Sequence, residues 1–258
     1  MIVVRSLIVG AAFCLCAAAP AAALGADLVF AQNFLTGSKQ IVSYPVGDPA
    51  NMTVVGPLTD TLRGMDFAPG ADVLWAINLA THALGTVNEA TGAYAQTVVL
   101  ANVNYSAFTI DPVSGTFYVS KDDRFVYDLD PSSGGTTLLG IGAPIGTTIA
   151  ALAADCRGRL FAVAVAVSDT NLNALYEAHV GVSDPTLVGS LAYSGVTSLE
   201  FDNHTGLLYA WFNPSGTTST HGTINPTTAE ISQTSARDGK YRMAIRNECS
   251  IFADDFEA

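Results

Sequence analysis

Two short patterns each recur five times along this chain, out of phase with each other. The first runs small–apolar–x–apolar–Asp, then a turn with glycine, then Leu–aromatic–Ala. It reads Gly64-Met65-Asp66-Phe67 into Val73-Leu74-Trp75-Ala76, and returns as Ala107-Phe108-Thr109-Ile110-Asp111 into Gly115-Thr116-Phe117-Tyr118-Val119. A third copy starts at Ala150 to Ala153 and continues as Gly158-Arg159-Leu160-Phe161-Ala162. The fourth is Ser198-Leu199-Glu200-Phe201-Asp202 into Gly206-Leu207-Leu208-Tyr209-Ala210. Measured at Leu74, Phe117, Leu160 and Leu208, the steps are 43, 43 and 48 residues. A half copy, Arg242-Met243-Ala244-Ile245, ends the series. The second pattern is a turn after an apolar position. It occurs at Val87 to Gly92, Leu129 to Gly134 and Ile224 to Thr228, with weaker copies at Val46 to Pro49 and Val182 to Pro185. A period of about 40–45 residues with several short strands per unit is that of a β-propeller.

The phase difference predicts how the ring closes. The turn pattern comes first, at Val46, and the inner-strand pattern comes last, at Ile245. The chain therefore starts in mid-blade, with strands near Leu28–Gln32, Gln40–Val46 and Met52–Leu58, and the missing inner strand arrives at Tyr241–Ile245. This is an all-β, five-bladed propeller with 3+1 closure, which leaves no open sheet edge at the seam. Six blades would need a further unit that the sequence does not supply. Within the first full blade the pattern predicts strands at Gly64–Ala68, Val73–Asn78, Leu84–Asn88 and Tyr94–Leu100. β-Branched and aromatic residues fill the strands, and Gly, Pro and Asn fill the turns. Gly115, Gly158 and Gly206 share one turn position, where a positive φ excludes other residues.

Residues 1–25 carry one early charge, Arg5, then an apolar run from Leu7 to Ala19 and a small-residue end around Ala21-Ala22-Ala23, the layout of a secretory signal peptide. The propeller is expected over residues 26–248, with a C-terminal tail at 249–258. The net charge of −12 becomes −13 once Arg5 is removed. Such an acidic chain has no counter-charge for nucleic acid or an anionic membrane. No later apolar run is long enough to span a bilayer. A secreted or periplasmic monomer is expected. Only Cys156 and Cys249 lie outside the signal segment. In an oxidising compartment they suggest one disulfide. They leave inner strands at the same end of the domain, but in blades that are not neighbours, so pairing and two free thiols both stay open.

Inner strands surround a propeller's axis, so their polar residues are the first candidates for a site. At the Asp66 position the five copies carry Asp66, Thr109, Leu152, Glu200 and Ala244. Asp66 and Glu200 are candidates for an acid–base pair of a glycan-acting hydrolase, which needs carboxyls about 5–10 Å apart. Channel-lining carboxylates in a binding propeller are the plainer reading. Asp111 and Asp202 repeat at one turn position, with Asp155 one residue later. They read as turn-stabilising groups. Trp75, Tyr118, Phe161 and Tyr209 repeat and read as packing between blades. Trp211 breaks the repeat and is the candidate ligand-stacking residue if exposed. The stretch Asp128 to Gly134 resembles a calcium loop, but its glycine is displaced and the twelfth-position acid is absent. No cofactor is expected, and calcium has no further support. None of His82, His179, His204 and His221 has metal-site spacing, so no metal site is assigned.

The unit GMDFAPGADVLWAIN…LGTVNEATGAY resembles the blades of bacterial secreted propellers of uncharacterised function, the G-x-D-F-x-P-x-x-G-x-L-Y-A type. It is distantly similar to NHL-like and YVTN-like repeats. The resemblance covers nearly the whole mature chain and implies the fold, with no catalytic set to carry over. The tail, Ile251 to Glu257, resembles I-F-x-D-x-F-E endings of secreted bacterial proteins, with Asp255 where such endings have glycine. The reading that follows is a non-enzymatic binding or scaffold propeller for an unknown protein or glycan ligand. The alternative is an extracytoplasmic hydrolase with its site on the propeller axis.

Overall fold

The computed structural model describes residues 28–35, 39–70, 73–168, 173–181, 184–213, 217–246 and Cys249. The expected signal peptide, residues 1–25, and the tail residues 250–258 lie outside these. Among the described residues, twenty strands form five four-stranded antiparallel sheets. Blade one holds β4 (Leu62–Ala68), β5 (Val73–Asn78), β6 (Ala83–Val87) and β7 (Tyr94–Val99). Blade two holds β8 (Ala107–Ile110), β9 (Phe117–Ser120), β10 (Phe125–Leu129) and β11 (Thr136–Ile141). Blade three holds β12 (Thr147–Ala154), β13 (Leu160–Ala166), β14 (Asn173–Ala178) and β15 (Thr186–Leu191). Blade four holds β16 (Val196–Asp202), β17 (Leu207–Phe212), β18 (Thr218–Ile224) and β19 (Ile231–Asp238). Blade five joins β20 (Tyr241–Ile245) to β1 (Leu28–Asn33), β2 (Gln40–Pro45) and β3 (Thr53–Pro57), in the order β20-β1-β2-β3. The 3+1 closure is thus present, and β20 lies on the residues expected of it.

The inner strands form a closed ring: β4 packs beside β8, β8 beside β12, β12 beside β16, β16 beside β20, and β20 beside β4. The core is divided accordingly. Five apolar clusters occupy the five spaces between consecutive blades. The repeated aromatic of each second strand points into one of them. Trp75 meets blade two, Tyr118 blade three, Phe161 blade four and Tyr209 blade five. Phe30 is the fifth member: it pairs with Ala244 as Trp75 pairs with Asp66, and packs on Leu62, Met65 and Phe67 of blade one.

The turns explain the repeated polar residues. Asp111 accepts hydrogen bonds from the Val113 amide at 2.8 Å and the Ser114 hydroxyl at 2.8 Å. Asp202 does the same for the His204 amide and the Thr205 hydroxyl. Asp155 takes the Arg157 and Arg159 amides and pairs with the Arg159 guanidinium at 2.7 Å. The pairing corrects one expectation. Ala153 stands opposite Phe161, so Ala153, not Leu152, occupies the Asp66 position of blade three. That blade's first turn is one residue shorter, and Asp155 then falls on the same position as Asp111 and Asp202. The calcium-loop-like stretch is the outer turn of blade two. Asp130 there accepts the Ser132 amide and the Ser132 and Ser133 hydroxyls, which hold its carboxyl down at about 2.

Candidate functional site

Alternation within an antiparallel blade puts the repeated turns at one end of the axis and the less regular connections at the other. The inner strands run from the irregular end to the turn end. Their side chains at alternate positions point toward the following blade. Asp66 shows this: its carboxylate accepts the Thr109 hydroxyl at 2.8 Å and the Ile110 amide at 2.6 Å from blade two, and the Phe67 amide at 2.7 Å. Ile110 lies on an innermost strand, so this amide has no strand partner on its axial side. Burial still dominates, and the Asp66 carboxyl is pushed up to about 6 despite three donors.

Glu200 occupies the same position in blade four and carries one more methylene. Its residue is 4% exposed, and its carboxyl has no hydrogen-bond partner among the described residues. Burial first, and the Asp66 charge second, raise it well above the ordinary carboxylate range. Asp66 and Glu200 thus lie close enough for the charge of one to act on the other. Both line a cavity of about 10 Å³ toward the turn end, with Ile110, Pro112, Asn203 and Ile245. Glu200 also borders a cavity of about 20 Å³ toward the irregular end, with Arg63, Ser106 and Ser198. Each has room for about one water molecule.

Trp211 lies in β17, fully buried between blades four and five, which is the core position rather than the exposed loop that a stacking role would need. Its ring stacks on Tyr241 with centroids 4.4 Å apart, and its Nε1–H donates to the Tyr44 hydroxyl at 2.9 Å. His221 stands directly across from it on β18 and is held down at about 4 by burial.

At the turn end, Cys156 and Cys249 are bonded, with Cα atoms 5.5 Å apart. Cys156 follows the inner strand of blade three, and Cys249 follows that of blade five. The bond therefore straps the closing strand across blade four. The Cys156 amide donates to Asn203 Oδ1 of that blade's turn at 2.8 Å.

At the irregular end lies a feature that the sequence reading passed over. Arg63 of β4 and Arg242 of β20 sit side by side at the seam between blades five and one. Arg242 is 7% exposed, donates Nη1–H to the Leu62 carbonyl at 2.6 Å and lies over the Phe34 ring at 4.0 Å. Burial and the neighbouring Arg63 charge lower it to about 9. The only signal in the sequence was that Arg242 stands where the other copies carry Gly64, Ala107 and Ser198.

No protein-family model matches the chain, and no curated protein matches it. Solved structures do, at low identity. A chain of a nidogen–laminin complex is 10% identical with a TM-score of 0.56, over 86% of this chain and 99% of that one. TolB from Acinetobacter baumannii is 10% identical with a TM-score of 0.51, over 86% and 67%. A gluconolactonase from Xanthomonas campestris is 14% identical with a TM-score of 0.50, over 84% and 68%. These likenesses concern the fold. The propellers concerned do different things, so the activity of this chain has to be argued from its own residues.

Proposed function

We propose that this chain is a secreted or periplasmic, non-enzymatic binding propeller whose ligand, a protein or a glycan, meets the irregular end of the axis. The observation that carries the reading is the size of the space around Asp66 and Glu200. The cavities they line hold about one water each, far below the several hundred Å³ of a small-molecule site. Asp66 is further occupied by three donors from the fold itself. The irregular end, by contrast, carries connections that differ from blade to blade. It exposes Ile145 and Val167, joined through the Val167 amide and the Gly146 carbonyl. The disulfide supports an oxidising compartment, as does the signal-like N-terminal sequence. Among the described residues no helix is long and apolar enough to cross a membrane.

One observation favours the second reading, an extracytoplasmic hydrolase. Two adjacent carboxyls with raised proton affinity, one of them without a hydrogen-bond partner among the described residues, resemble an acid–base pair. A panel of glycoside and ester substrates assayed with the parent protein, Asp66→Asn and Glu200→Gln separates the two. Background rates in all three are expected. Turnover by the parent that falls in either variant would establish the hydrolase instead.

A further inference from the structure

The two arginines at the seam present an electrostatic problem that the fold leaves unsolved. A buried charge is tolerated when an opposite charge and hydrogen bonds replace its lost water. Among the described residues, no carboxylate lies within ion-pair reach of Arg63 or Arg242. Arg63 Nε is buried with no hydrogen-bond partner. Arg242 has a carbonyl and an aromatic face, both weak answers to a full charge. Each cation also works against the other. The nearest relief is Asp122, which acts on Arg63 from beyond contact distance. The Asp60 carboxylate is engaged by Asn78 at 2.9 Å. The arrangement is an anomaly in a chain with 23 acidic residues against 11 basic ones, where a pairing carboxylate was available in abundance.

We propose that Arg63 and Arg242 form an oxyanion-binding site at the irregular end of the axis, which receives a carboxylate or a sulfate-type group of the ligand. A guanidinium presents a planar fork of donors that matches two oxygens of such a group. Arg63 is the arm that contacts the anion, because it is half-buried and borders the cavity mouth with Ser106 and Thr197. Arg242 is held rigidly behind it and supplies positive potential. The low-dielectric walls strengthen that potential for an anion seated there. The inference deepens the binding reading above and rests on it.

The test is a titration of the full mature protein followed by ¹H–¹⁵N NMR of the arginine Nε–H groups. Sodium acetate and sodium sulfate are the two probes, with total ionic strength held constant by sodium chloride. The parent is expected to show saturable shifts of the Arg63 and Arg242 signals, with half-saturation on the order of 1 mM for the better probe. Preference for acetate assigns a carboxylate ligand, and preference for sulfate a sulfate or phosphate group. Arg63→Gln should weaken the response at Arg242 at least about tenfold, while Arg63→Lys should keep part of it. Asp122→Asn should tighten binding roughly twofold to fivefold, because it removes the competing carboxylate. Shifts that grow linearly with both probes in the folded parent would overturn the site. So would saturation that Arg63→Gln leaves unchanged. Either result leaves the non-enzymatic reading standing, since only the substrate panel bears on that.

Discussion

A carboxyl in a largely buried position binds its proton more tightly in the folded chain than in the unfolded one. Glu200 is in this position, and Asp66 shares it in part. The folded state then carries more protons than the unfolded state above the ordinary carboxylate range, so stability falls as pH rises. For Asp66 the window runs from about 4 to about 6, and Glu200, raised by its burial, works in the same direction. His221, pushed down to about 4, works in the opposite sense below its ordinary value, since the unfolded imidazole protonates first. The readout is therefore a difference between proteins. Glu200→Gln should raise the Tm near pH 8 and flatten its decline with pH relative to the parent. Parallel Tm profiles for the two proteins would contradict the burial argument. A second prediction concerns Gly56 of β3. A Cβ placed there would sit 1.9 Å from the Thr91 carbonyl oxygen in the outer turn of blade one. Backbone cannot yield as a side chain does, so Gly56→Ala should cost about 1–3 kcal/mol in chemical denaturation. At these positions the sequence showed that Asp66 and Glu200 share a register, but not that one is held by three donors and the other by none among the described residues. That difference depends on a single methylene and on the neighbouring blade.

Each blade repeats a feature that the motif spacing does not reveal. The pairing between third and fourth strands is interrupted once in every blade, at Ile41/Val42, Leu84/Gly85, Val126/Tyr127, Leu175/Tyr176 and His221/Gly222. A bulge leaves one residue of the pair unmatched and increases the local twist. Strand positions were legible because alternation and turn residues mark them locally. The expected ends were correct for β5 and β20 and within two residues for the other strands predicted. The bulges were not legible, because a bulge is a relation between two strands. The closing element allows a direct test. A chain truncated after Lys240 lacks β20, so β1 loses its inner partner and β4 and β16 lose a neighbour. An unpaired strand edge beside exposed core is an aggregation site. The truncated protein should elute as oligomers or aggregate by size exclusion with light scattering, where the full chain is expected to elute as a monomer. A monomeric, cooperatively folding truncation would show that closure is dispensable.

The whole molecule is held as a ring by five apolar interfaces and, among the described residues, by two further ties at the exit of the closing strand. One is the disulfide. The other is the Arg246–Glu89 ion pair, which links the exit of β20 to the outer turn of blade one. The disulfide spans 93 residues of sequence, so on the chain-entropy account it contributes on the order of 4 kcal/mol. Cys156→Ser, Cys249→Ser or the double variant should lower stability by roughly that amount, with β-sheet circular dichroism preserved at low temperature. Equal denaturation midpoints for parent and double variant would remove the strap from the account of stability. Reduction of the parent should reproduce the variant's behaviour.

Repetition and phase along the chain determined the blade count, the closure and the role of the Asp, Gly and aromatic residues that recur. Each of those follows from what a single blade needs, and a single blade is local in sequence. Only the tertiary structure decided what happens where two blades meet. It buried Trp211 against Tyr241, joined Cys156 to Cys249 over blade four, and set Asp66 beside Glu200 and Arg63 beside Arg242. The physical reason is that burial and charge pairing depend on the surroundings of a side chain. In a closed ring half of those surroundings come from the next blade, some forty residues or nearly the whole chain away.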